Sequence, residues 1–263
     1  MTLLLTLSTS SLIGLFEQPE KGPDSLLDVP RFAMEHLQLR GLYLEASSLS
    51  GWSIKELDRL RDRADKAGCP CLVLADDELL DLASTDEDIA QQAVDRIERL
   101  AMAANRLGCN SIAIQCADVD GEEGIERATA VLRGMMASIE RLELNLLLRP
   151  TTGLLATPDG LTDLVKRVGG FRIGVLPTYG IGSDLESEIE HLRKLAPYAG
   201  AMIFQVQAYR GKAGHKGIDL VSGIQTLKKV GYASTVAIEY VGKDPLKDVD
   251  KAREELQAAI EAE

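Results

Sequence analysis

Several short segments of the chain end in side chains able to grip a small polar molecule or move a proton on it. "LYLE" closes on Glu45 and "VAIEY" carries Glu239, and a carboxylate at the lip of a cavity can act as general base or hold a substrate hydroxyl. The bland alternative for Glu239 is a structural carboxylate paired with a nearby cation. "LLLRP" places Arg149 after a run of apolar residues and before Pro150, so its guanidinium projects from a strand end rather than from a solvated helix face. There it binds a carboxylate or phosphate through paired N–H groups, or pairs with Glu239 across the mouth. Gln115, Gln205 and Gln207 offer amides suited to sugar hydroxyls, or else fill a polar layer of the interior. The stretch "YRGKAGHKG", residues 209–217, concentrates Arg210, Lys212 and His215 among glycines in an otherwise acidic protein. It reads as a site for an anionic or polyhydroxy ligand or as a mobile surface loop, with His215 either a ligand or simply solvated.

These residues need elements to hold them. Near-continuous apolar runs recur at 3–7, 41–45, 71–75, 111–115, 144–149, 172–176, 201–207 and 235–240, as expected of parallel strands covered on both faces. Between them apolar residues fall at helical spacing. Ile89, Ala93, Ile97, Leu100, Ala104 and Leu107 form one such stripe, and Ile125, Ala128, Leu132, Met135 and Ile139 another. The first helix is placed near Pro30 to Leu39. Ser84 with Glu87 reads as a capping box, Gly108 as a helix stop, and Thr157 before Pro158 as an N-cap with proline at the first helical position. Eight strand-then-helix units, with no G-x-G-x-x-G turn after the first strand, predict a single α/β domain over residues 1–263, a closed (β/α)8 or TIM barrel. A long doubly wound sheet is the alternative. The chemistry of such a barrel sits at the C-terminal ends of its strands, where Glu45, Arg149 and Glu239 are expected to share one mouth.

Composition narrows the classes. With a hydrophobic fraction of 45% and a charged fraction of 27%, the chain reads as a globular protein. A net charge of -12 repels phosphate backbones and anionic lipid, which argues against nucleic-acid and membrane partners. The first basic residue is Lys21, so the apolar start lacks the positive region of a secretory signal, and a cytoplasmic location is expected. Cys69, Cys71, Cys109 and Cys116 match no zinc-binding spacing and read as buried thiols. The acidic run Asp76, Asp77, Glu78 is read as an acidic helix N-terminus rather than a cation site.

From 211 onward the chain reads "GKAGHKGIDLVSGIQTLKKVGYASTVAIEYVGKDPLKDVDKAREEL", an Asp-initiated helix, a "GY" turn and a strand carrying Glu. With "LRGLYLE", "AMAANRLGCNSIAIQ" and "TPDGLTDLVKRVG", this resembles the xylose isomerase-like barrels, the sugar phosphate isomerase/epimerase group, over nearly the whole chain. The resemblance implies a divalent cation held by a Glu ending strand five, an Asp ending strand six, a His at strand seven and a Glu ending strand eight. Only the last has its match, in Glu239. Arg149 stands at the first position, Pro177 or a neighbour at the second, and Gln205 or Gln207 at the third. An arginine stays protonated and cannot ligate a metal, so no metal and no cofactor are expected.

The expected function is therefore that of a sugar isomerase or epimerase-like barrel, acting on or binding a small carbohydrate or sugar acid without the metal. Glu239 and Glu45 are the catalytic candidates, and Arg149, Gln115, Gln205, Gln207, Arg210, Lys212 and His215 bind substrate. The chain is also open to forming a homo-oligomer. The alternative is a non-catalytic carbohydrate-binding or structural partner protein with a degenerate site. A DNA-repair endonuclease of the same superfamily needs a rich set of zinc ligands, which three histidines, His36, His191 and His215, do not supply.

Overall fold

The structure, a computed structural model, describes residues 3–16, 20, 22–210 and 214–262. Among these, nine strands and eight α-helices alternate along the chain. The strands are β1 (Leu4–Ser8), β2 (Leu42–Glu45), β3 (Cys71–Leu80), β4 (Ser111–Cys116), β5 (Asn145–Arg149), β6 (Ile173–Val175), β7 (Thr178–Tyr179), β8 (Ala201–Gln207) and β9 (Thr235–Val241). The helices are α1 (Val29–His36), α2 (Ile54–Ala67), α3 (Glu87–Leu107), α4 (Gly121–Arg141), α5 (Pro158–Val168), α6 (Leu185–Leu195), α7 (Leu220–Lys229) and α8 (Pro245–Glu261).

The sheet runs β6-β5-β4-β3-β2-β1-β9-β8-β7 with parallel pairing throughout, so each strand lies beside its neighbour in sequence and β1 closes onto β9. This is the α/β TIM-barrel architecture. The expected strand at 172–176 appears as β6, which pairs with β5, and a short β7 beyond it pairs with β8. Pro177 sits at the break. It has no N–H to give to a ladder, but its carbonyl still accepts from the Ile203 N–H at 3.0 Å, and Leu176 N donates to Leu148 O at 2.9 Å. The two halves thus act as one barrel strand that changes partner at the proline.

Alternation along the strands separates two cores. Outward residues such as Leu44, Leu74, Ile112, Leu146, Phe204 and Ile238 pack beneath the helices. Tyr43, Ala75, Ala113, Leu147, Leu176, Ile203 and Ala237 belong to a second cluster that fills the barrel interior. Bulky Tyr43, Leu147 and Ile203 interdigitate with alanines, which is how a barrel of this width is filled without a pore.

Cap positions follow the local chemistry, with one correction. Gly108 ends α3 in the left-handed region at φ 77°, and the Thr157 side chain accepts from Gly160 N, as expected. The cap of α3 is Asp86, whose carboxylate accepts from the Asp88 and Ile89 N–H groups, and not Ser84. Ser84 Oγ instead accepts from Asp86 N at 3.2 Å, one step before the helix. The four cysteines are buried free thiols.

The acidic run is a second correction. Asp76, Asp77 and Glu78 lie within β3, well before α3 begins at Glu87. Pairing with β4 jumps from Ala75↔Ala113 to Leu79↔Gln115, so four residues of β3 oppose two of β4 in a bulge. The bulge sends neighbouring carboxylates to opposite faces. Asp76 turns outward and pairs with Arg96 of α3, which also reaches Glu78 at 2.8 Å.

Candidate active site

Two residues beyond the apolar interior layer, seven of the strands turn a polar side chain toward the barrel mouth: Glu45, Asp77, Gln115, Arg149, Thr178, Gln205 and Glu239. The parallel register sets Gln115 beside Arg149 and Gln205 beside Glu239. Seven different strands thus build one polar ring above a dry core.

The direct partner of Arg149 differs from the expected one. Its Nη1 donates to Asp77 Oδ1 at 2.8 Å, while Glu239 Oε2 accepts from Gln205 Nε2 at a long 3.5 Å. The bulge in β3 explains the change, because it brings Asp77 inward to meet the guanidinium. Arg149 is largely buried, with its side chain 17% exposed, and makes no other hydrogen bond among the described residues.

The electrostatics of the ring are set by desolvation and crowding of like charge. Burial pushes the Glu45 carboxyl up to about 7, aided by the negative charges of Asp77 and Glu239 and opposed by Arg149. Glu239 is raised as well, first by burial, with the Gln205 hydrogen bond and Arg149 working the other way. Near neutral pH, then, Glu45 is poised between its protonated and ionised forms beside a second half-buried carboxylate.

Beside the ring lies a cavity of about 500 Å³, bordered by Gln115, Arg149, Thr151, Thr178, Glu188 and His191. Its far wall is the turn before α6. Glu188 accepts from Gly180 N at 2.7 Å and from Gly182 N at 2.8 Å, pinning that turn. Gly180 has φ +94°, and a Cβ there would stand 2.7 Å from the Gln205 carbonyl, so only glycine lets the turn lie against β8. Glu188 thus occupies two backbone N–H groups that face the cavity border.

The loop after β8 is arranged differently from either expectation. His215 Nε2 accepts from Gln207 N at 2.7 Å, and Nδ1 faces Ile218 O at 3.1 Å, so both ring nitrogens serve the backbone. Burial lowers its pKa, consistent with a neutral ring whose Nδ1–H donates to that carbonyl. Neither nitrogen remains for a ligand. Arg210 is exposed, its backbone N–H bonded to Gly214 O at 3.0 Å. Lys212 lies outside the described residues.

Sequence reasoning passed over Tyr43, read Asp77 only as part of an acidic helix start, and named Gln115 and Arg149 but not Thr151 or Glu188 at the cavity border. The strand period would have found the first two, since Tyr43 lies two residues before Glu45, and Asp77 two residues after inward-facing Ala75. The cavity border left no such local signal, because it depends on where the turn before α6 folds.

The chain belongs to the xylose isomerase-like TIM barrel family, whose sequence profile matches residues 41–262. Solved structures share the fold at low identity. An L-ribulose 3-epimerase superposes with a TM-score of 0.79 at 14% identity, covering 99% of this chain and 95% of that one. A 3-keto-D-glucoside 4-epimerase from E. coli gives 0.75 at 12% identity, covering 97% of this chain and 99% of that one. A probable 3-DHS dehydratase from Bacillus anthracis gives 0.71 at 16% identity, with the same coverage of 97% and 99%. No curated protein matches the chain. Among the described residues no helix is long and apolar enough to cross a membrane.

Proposed function

We propose that this barrel binds a small carbohydrate at the mouth and moves a proton on it without a divalent ion, as a sugar isomerase or epimerase. Glu239 removes the proton from a carbon next to the sugar's carbonyl, and the C–H electron pair forms a C=C bond while the carbonyl pair moves onto oxygen. Glu45, when protonated, returns a proton to carbon, leaving Glu45 ionised and Glu239 protonated, and exchange with water resets both. The observation that carries the reading is the pair of half-buried, raised carboxylates, Glu45 and Glu239, around the Arg149 guanidinium. Groups tuned toward neutral pH in a mouth of this kind are suited to acid–base exchange.

The donor set does not fit the divalent ion that the family resemblance implies. A guanidinium held in place by Asp77 stands where a carboxylate ligand is expected, and an amide replaces the imidazole. Among the described residues no three His, Cys, Asp or Glu side chains converge as a metal site. Arg149 instead supplies fixed positive charge to the oxygen that gains electrons. His215 drops out of the ligand set, whereas Gln115 and Gln205 remain as partners for hydroxyls.

The test is solvent deuterium incorporation into L-ribulose and D-fructose, followed by NMR in the presence of EDTA. Exchange at carbons flanking the carbonyl is expected in the wild type and lost in Glu239→Gln. Binding without exchange would replace the enzyme reading by a carbohydrate-binding one, and exchange only with added metal would overturn the metal-free step.

A further inference from the structure

Beneath the polar ring, Tyr43 points into the barrel with its ring among Ala75, Ala113, Leu147 and Ile203. The residue is 1% exposed, and its hydroxyl has no hydrogen-bond partner among the described residues. A buried hydroxyl without a partner is costly, and natural folds seldom keep one except where a partner arrives in the course of function. Arg149, one layer above, presents the matching feature. It is mostly buried, yet among the described residues one hydrogen bond, to Asp77, is all that engages a group with five N–H donors. Two underused donors therefore lie near enough to feel each other's charge, and the Tyr43 hydroxyl feels those of Glu239, Glu45 and Asp77 as well.

We infer that the Tyr43 hydroxyl joins the Arg149 guanidinium in receiving the carbonyl oxygen of the sugar. This rests on the acid–base reading above. When Glu239 removes the neighbouring proton, negative charge collects on that oxygen, and both donors strengthen as it does so. Burial foremost, with the charges of Glu239, Glu45 and Asp77 against that of Arg149, holds the phenol above its ordinary range, so it keeps its proton and acts as donor. Arg149, tethered on one side only, is the side chain able to shift and admit an oxygen between the two. A ring hemiacetal or a simple polyol offers no atom that gains charge and would not draw on the pair.

Tyr43→Phe tests this by removing one oxygen and little else. Measured on L-ribulose and D-fructose with EDTA present, the exchange rate constant kcat should fall about tenfold or more with little change in KM. The melting temperature should hold or rise, because the lost hydroxyl had no partner. A wild-type exchange rate in Y43F beside an inactive E239Q overturns this inference and leaves the acid–base reading standing. A melting temperature several degrees lower in Y43F also overturns it, since the hydroxyl would then serve the fold. A wild type that exchanges neither sugar overturns both readings together.

Discussion

The two layers of the barrel interior lie only two residues apart along each strand, yet they obey different rules. The lower layer is built of Ala75, Ala113, Leu147, Leu176, Ile203 and Ala237 around Tyr43, all nearly inaccessible. The upper layer carries three carboxylates, a guanidinium, two amides and the Thr178 hydroxyl, and its members keep partial contact with water or with one another. Close packing holds the first together, and each side chain there matters through its volume. Charge balance governs the second, where a group matters through what its neighbours do to its proton. Such a step, from dry filling to crowded charge, lets one scaffold be rigid below and reactive above.

Removing volume from the lower layer should have the largest effect. Leu147 fills space that the missing side chains of Gly174 and Gly200 leave open, with Cβ positions there falling 3.4 and 2.6 Å from its methyl carbons. Leu147→Ala should cost about 2–5 kcal/mol in denaturant unfolding. A loss below about 1 kcal/mol would mean the layer collapses freely and is not the rigid floor described above.

A change of charge in the upper layer should depend on pH instead. Glu45 ionises near 7 in the fold against 4.5 as the ordinary value, so the folded state binds the extra proton between those two values. The cost of ionising it is absent at low pH, grows as pH rises from about 4.5, and is complete above about 7. Glu45→Gln should therefore raise the melting temperature at pH 8 relative to wild type and leave the difference small at pH 4. A gain that is equal at both pH values would show that Glu45 is not strained by burial and crowding.

The smallest effect belongs to Asp77, whose side chain is 40% exposed in its pair with Arg149. Asp77→Asn should change stability by less than about 1 kcal/mol. It should also draw the Glu45 carboxyl back toward the ordinary range in an NMR titration, because Asp77 is the foremost charge raising it. An unmoved Glu45 would separate the two groups and weaken the picture of a coupled ring.

How much of this was legible beforehand differs from residue to residue. The strand ending in Glu45 and the one carrying Glu239 could be read because a near-continuous apolar run is a local property of the chain. The cap of α3 was misread by two residues, since Ser84 and Asp86 both suit the role and only the path of the backbone selects Asp86. The acidic run was misread because a bulge has no composition of its own. It arises when β3 must stay paired to β4 while turning Asp76 to Arg96 and Asp77 to the mouth.

By itself the sequence determined the alternation of strand and helix and the residue types presented at the strand ends. Each follows from periodicity and side-chain chemistry within a few residues. The tertiary structure alone decided that Arg149 would meet Asp77, 72 positions earlier in the chain, rather than Glu239. It also decided that His215 would brace a loop and that Glu45 would titrate near 7. Those outcomes depend on distances and desolvation that exist only once the sheet has curled and closed, bringing side chains from seven strands into one water-poor mouth where each charge is felt by the others.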